Sequence, residues 1–253
     1  MINKKKLSMA VIFFLIFVVI AFLAVILVNP KNQVKKNPTA SSTSANGQDS
    51  SDLLGFNQAA LASANGQAKI PAFSASDNLQ GEAGAPVKII VYEDLTDSYA
   101  VKFNDTLQAA VKAYGDKLAI AYRPFIVNNN EAALKIFSGL DCAGAQQKFL
   151  EMRQLILDEN KSGQLSAANL GDYAQKLNLN ADEFAKCLSS KKYEAGIVQV
   201  SKGAADYSIF GAPAAFVNDE IVTGARSFED ANNSAGSQVD GLKTIIDRQL
   251  NSH

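Results

Sequence analysis

Val87-Lys88-Ile89-Ile90-Val91-Tyr92 is a short, β-branched run with almost no polar interruption. A strand with one wet face would alternate, so this run reads as a central strand covered on both faces. Just downstream, Tyr99, Phe103, Leu107, Ala110, Val111 and Tyr114 recur at helical spacing between Ser98 and Tyr114, and Gly115 closes the segment. Leu118–Tyr122 is a second apolar strand. Strand, helix and strand in so short a length form a βαβ unit, which sets the two strands parallel through a right-handed crossover.

Toward the C-terminus the periodicity turns helical. Glu131–Gly139, Ala143–Leu157, Ala167–Leu177 and Asp182–Asp206 carry helical spacing, broken by glycines and by Asn178-Leu179-Asn180. Gly211-Ala212-Pro213 then precedes a strand at Ala214–Asn218, a turn at Asn218-Asp219 and a strand at Glu220–Thr223. A closing helix over Gln238–Leu250 presents Leu242, Ile245, Ile246 and Leu250. The order βαβ, helical insertion, ββα describes an α/β chain of thioredoxin-like fold. Its folded domain spans residues 80–253, with the insertion at about 127–208.

Toward the N-terminus the composition changes twice. Residues 29–79 are rich in Ser, Asn, Ala, Gly and Gln, and Ser-Ala-Asn-Gly-Gln occurs at both 44–48 and 63–67. Small polar residues bury too little apolar surface to offset ordering entropy, so a flexible spacer is expected. Before it, Met9 to Val28 contains no polar residue and is long enough for a helix to cross about 30 Å of hydrocarbon. A cleaved signal peptide is the alternative, but its apolar stretch usually runs about 7–15 residues and ends in small residues. Ile26-Leu27-Val28-Asn29-Pro30 has no such residues. One transmembrane helix is therefore expected to precede the domain, in contact with membrane lipid. Lys4, Lys5 and Lys6 hold residues 1–8 in the cytoplasm, which places the domain outside it.

The absent residue types exclude whole classes of chemistry. The only histidine is His253, at the terminus, which removes Ser-His-Asp and Cys-His catalysis and imidazole-bound zinc. Two cysteines cannot build a four-thiolate site, and a net charge of −1 offers no basic surface for nucleic acid. No cofactor, metal or nucleic-acid partner is expected.

Five segments, in order, resemble the DsbA-like thiol–disulfide oxidoreductases from about Asp77 to the C-terminus. Gly84 to Ile90 resembles the family's entry into its first core strand, and Leu118 to Phe125 its second. Cys142-Ala143-Gly144 through Met152 and Phe184 to Tyr193 resemble helices of its inserted domain. Gly211-Ala212-Pro213 with Phe216-Val217-Asn218 resembles the loop and strand where the family places a cis-proline. Family members carry Cys-x-x-Cys at the start of the first helix, where N–H groups and the helix dipole stabilise a thiolate. Here the matching stretch is Asp97-Ser98-Tyr99-Ala100. Thiol–disulfide exchange needs an attacking thiolate, which a carboxylate cannot replace, so the family's activity does not carry over to this position. Asp97 is expected to cap the helix rather than to catalyse.

Cys142 and Cys187 are too far apart in sequence to form a redox motif. A structural disulfide is the expectation, favoured by an oxidising compartment and consistent with a second bridge in some relatives. Two buried free thiols and a functional redox pair are the alternatives. The resemblance implies a cis bond at Pro213 and a peptide-pairing role for Ala212, against a plain turn-shaping role. The leading expectation is a non-catalytic module binding an extracytoplasmic peptide or protein. The rivals are an oxidoreductase working through Cys142 and Cys187 and a purely structural ectodomain.

Overall fold

The computed structural model describes residues 69–252. The expected helix at Met9–Val28, and the spacer before Lys69, lie outside the described residues. Among the described residues, no helix is long and apolar enough to cross a membrane.

A five-stranded sheet forms the centre, in the order β1-β3-β2-β4-β5. The strands are β1 (Leu79–Gln80), β2 (Val87–Glu93), β3 (Leu118–Pro124), β4 (Ala214–Val217) and β5 (Glu220–Thr223). β2 and β3 run parallel, with Val87 opposite Leu118, whereas β4 pairs antiparallel with β2 and with β5. Both faces of β2 are covered, as its unbroken apolar character requires. Val87, Ile89 and Val91 enter the main core, while Ile90 and Tyr92 enter a smaller one with Ala121, Ala214 and Phe216.

Helix α1 (Ser98–Tyr114) connects β2 to β3 and buries Ala100, Phe103, Leu107 and Ala110. Gly115, at φ 55°, ends it and returns its N–H to the Val111 carbonyl. The insertion comprises α2 (Glu131–Gly144), α3 (Phe149–Lys161), α4 (Leu170–Lys176), α5 (Ala181–Ser190) and α6 (Glu194–Gly203). A single disulfide joins Cys142 in α2 to Cys187 in α5. Helix α7 (Leu242–Asn251) closes the fold, burying Leu242, Ile245 and Ile246.

Four expectations need correction. Gly139 does not break a helix: α2 runs through it to Gly144, and a Cβ at Gly139 would press into the Leu170 side chain. The glycine serves close packing, and Cys142 consequently lies near the end of α2 rather than at the start of a helix. The segment Asp182–Asp206 is two helices, because Lys191 adopts a left-handed φ of 56° between them. The last helix begins at Leu242, not Gln238. Gln238–Val239 forms β7, paired with β6 (Ala231–Asn232), and the Leu242 and Lys243 amides donate to the Ser227 and Phe228 carbonyls.

The fourth correction moves the domain boundary. The folded unit starts well before residue 80. Arg123, 8 % exposed, donates to the Ala72 carbonyl and to both Asp77 oxygens, and also to the Tyr92 hydroxyl. Phe73 and Leu79 pack on the smaller core, and β1 pairs antiparallel with β3. A run of small polar residues is ordered here because its one acid meets a buried guanidinium, an interaction no local pattern displays.

Candidate functional site

The N-terminus of α1 is set by two consecutive turns. Asp94 accepts hydrogen bonds from the Thr96 amide and hydroxyl at 2.9 and 2.7 Å. Asp97 then caps α1 from an extended conformation (φ −91°, ψ 137°), accepting from the Tyr99 amide at 2.8 Å. Asn160 of α3 donates to the Leu95 and Asp97 carbonyls at 2.8 and 3.1 Å, which ties this loop to the insertion. In the stretch expected to match Cys-x-x-Cys, Asp97 is therefore engaged by backbone, Ser98 is exposed and Ala100 is buried in the main core. Tyr99, expected on the core face, is 47 % exposed instead.

Beneath the loop lies a buried ion pair. Glu93 and Arg153 are 1 % and 2 % exposed, joined by two hydrogen bonds of 2.7 and 2.6 Å. Arg153 also donates to Asn104 at 2.7 Å and lies 3.7 Å from the Tyr122 ring centre. Burial pushes the Tyr122 hydroxyl up to about 12. This network joins the end of β2 to α1 and α3.

Facing Tyr99 is the loop from Ser208 to Pro213. The Ala212–Pro213 peptide bond is cis. The Pro213 carbonyl accepts from the Gly224 amide at 2.9 Å. Among the described residues, neither backbone polar group of Ala212 takes part in a backbone hydrogen bond. Tyr99, this loop, the segment after β5 and the β6–β7 hairpin together enclose a cleft of about 470 Å³. The Phe210 ring, 63 % exposed, stands at the cleft.

The structure thus brings Tyr99 and Ala212 to one cleft but leaves Cys142 and Cys187 outside its lining. Cys142 is 1 % exposed and bonded to Cys187, so no described cysteine carries a free thiol. No cluster of described residues has the composition of a metal site. Sequence reasoning did not single out Phe210 or the β6–β7 hairpin. Phe210 carried a usable signal, since a large apolar residue before Gly211-Ala212-Pro213 sits in a loop rather than in a periodic element.

A second cavity, about 440 Å³, is lined by Asp77, Arg123, Asp141, Lys192 and Tyr193, among others. Burial raises the Asp141 carboxyl from 3.8 to about 6. Its folded value exceeds its unfolded one, so the folded state keeps a proton that the unfolded chain has already released. Well below pH 4 both states are protonated and nothing is lost; as pH rises through 6 the full penalty, about 3 kcal/mol, develops. Asp141→Asn is therefore expected to raise stability to urea at neutral pH and to change it little near pH 4. Equal effects at both values, read by circular dichroism, would contradict this assignment.

A parallel βα–β pair extended by two antiparallel strands, with a cis-proline loop facing the N-terminus of the first helix, defines a thioredoxin-fold protein. Its inserted helical domain gives it the DsbA-like layout. The chain belongs to the thioredoxin family, whose model matches residues 74–234, well over half of it. Oxidised BdbD from Bacillus subtilis is similar at a TM-score of 0.57 and 12% identity, covering 69% of this chain and 93% of that one. Wolbachia pipientis α-DsbA1 is similar at a TM-score of 0.56 and 20% identity, covering 72% of this chain and 94% of that one. A curated relative from Salinispora arenicola, named Na(+)/H(+) antiporter NhaA 1, is 24% identical over 174 residues, which is 69% of this chain and 26% of the relative. The chain spans about a quarter of the length of the curated relatives it matches.

Proposed function

We propose that this chain is a membrane-anchored, extracytoplasmic DsbA-like protein that binds extended peptide in the cleft beside Pro213 and does no thiol chemistry there. The observation that carries the reading is a cis-proline loop, without a backbone hydrogen bond at Ala212, sharing a cleft with the first turn of α1, whose cap is a carboxylate. Ala212, whose backbone polar groups make no backbone hydrogen bond, lines a cleft with Tyr99 and Phe210, while Asp97 caps α1. Strand addition to such a loop uses main-chain hydrogen bonds for affinity and side-chain pockets for specificity, and needs no cysteine. The membrane name of the curated relatives accords with a domain working at a membrane surface. The rival, exchange through Cys142 and Cys187, needs a thiolate within reach of a client, and the burial of Cys142 weighs against it.

A disulfide-reduction assay on the full chain, with a dithiol reductant supplied, tests the reading. The unmodified protein is expected to give only the background rate, whereas Asp97→Cys combined with Ala100→Cys gains activity on the same scaffold. Catalysed reduction, or a sulfur-linked client adduct, in the unmodified protein would overturn the non-catalytic assignment.

A further inference from the structure

The charges around the cleft are arranged with one sign. Its lining contains two cations, Lys102 and Arg226, and no carboxylate. The acids that flank it in sequence are turned elsewhere. Asp97 accepts from the Tyr99 amide, and Asp230 accepts from the Gly241 amide and the Thr244 hydroxyl, both at 2.7 Å. Glu220 and Asp240 are both taken by Arg248, at 2.8 and 3.0 Å. Arg226 is left with the Asp240 backbone carbonyl, at 3.2 Å, and with no carboxylate partner among the described residues. Burial lowers its pKa, against the opposing fields of Asp240 and Glu220, neither of whose carboxylates touches its guanidinium. Lys102 lies over the exposed Tyr99 ring, 4.7 Å from its centre, and also has no carboxylate partner among the described residues.

Resting on the peptide-binding reading above, we infer that the occupant is an extended segment of another protein carrying a carboxylate side chain beside a large apolar one. The carboxylate meets Arg226 and Lys102, neither of which has a direct carboxylate contact among the described residues. The apolar side chain meets the exposed Phe210 ring and the half-buried Val239, which a small inorganic anion would leave wetted. Ala212 pairs with the backbone of the segment and fixes its direction. Hydrogen bonds from a partly desolvated guanidinium to a carboxylate are stronger than neutral ones, so charge, more than shape, sorts the ligands.

The test uses the full chain in detergent and fluorescence anisotropy of a short labelled peptide. The peptide carries a leucine between two glutamates; its counterparts carry glutamine or lysine in their place. The glutamate peptide is expected to bind about tenfold more tightly than the glutamine one, the size of a single charge-assisted contact, with the lysine peptide weaker still. Arg226→Gln should remove most of that preference. If that variant does not fold, Lys102→Glu on the exposed rim carries the test, by weakening the glutamate peptide and strengthening the lysine one. Equal binding of all three peptides, or an unchanged preference in Lys102→Glu, would defeat the charge assignment while leaving peptide binding intact. No binding of any peptide would defeat both.

Discussion

Arg153→Leu is expected to lower the stability of the folded domain by about 3–5 kcal/mol, because it leaves the Glu93 carboxylate buried without a counter-charge. Glu93 is 1 % exposed and receives two hydrogen bonds from Arg153. It cannot reach water without moving the end of β2, and Asn104 would lose its donor as well. Glu93→Leu alone should cost a comparable amount by stranding the guanidinium. Combined, the two substitutions remove both charges and should recover much of the loss, since apolar pairs of similar volume often match or exceed buried ion pairs. Urea unfolding followed by circular dichroism gives the three values. Additive losses in the double variant would show that packing around each side chain, not the pairing, sets the cost.

Removing the Cys142–Cys187 bridge is the second large effect. It closes a loop with a sequence separation of 45, for which the chain-entropy model predicts about 4 kcal/mol. Cys142→Ala with Cys187→Ala, or reduction of the folded protein, should lower the urea midpoint accordingly. Only α2 and α5 are directly stapled, and neither cysteine lines the cleft. Ligand binding below the new transition should therefore be unaffected. Loss of binding at full folding would instead mark the bridge as part of the working site.

The elements written in local terms were legible. Ser98–Tyr114 could be delimited to the residue because Asp97 supplies a cap, Gly115 a stop, and the core face a clean period. The β2 run announced two covered faces, and Asn218-Asp219 announced a turn, with Asn218 at φ 52°. What escaped depends on partners distant in sequence. Gly139 looks like a helix breaker until Leu170 is placed against it. Residues 69–80 look like spacer until Arg123 reaches Asp77 across 46 positions. Glu93 and Arg153, 60 positions apart, show no sign of their pairing. Within the candidate site, the Asp97 cap was readable from capping chemistry and the cis bond before Pro213 from the resemblance. Tyr99 was assigned to the core because helical spacing cannot distinguish the first turn of a face, which overhangs the cleft, from the turns beneath it. The cationic character of the cleft was hidden too, since it depends on where Arg248 draws the neighbouring acids.

The short strand β1 has a consequence for how this chain behaves among its own copies. Leu79 and Gln80 occupy the outer border of the sheet, hydrogen-bonded to β3 beside Ala121 and Ile120. With Asp77 clamped to Arg123 just ahead, they act as a selvedge on an otherwise open hem of peptide groups. A protease cut between Asp77 and Gly81 would let that border lift and bare β3, whose Leu118, Ala119 and Ile120 are almost wholly apolar. Molecules trimmed there are expected to pair edge to edge and form aggregates, although every residue lining the cleft would remain in place.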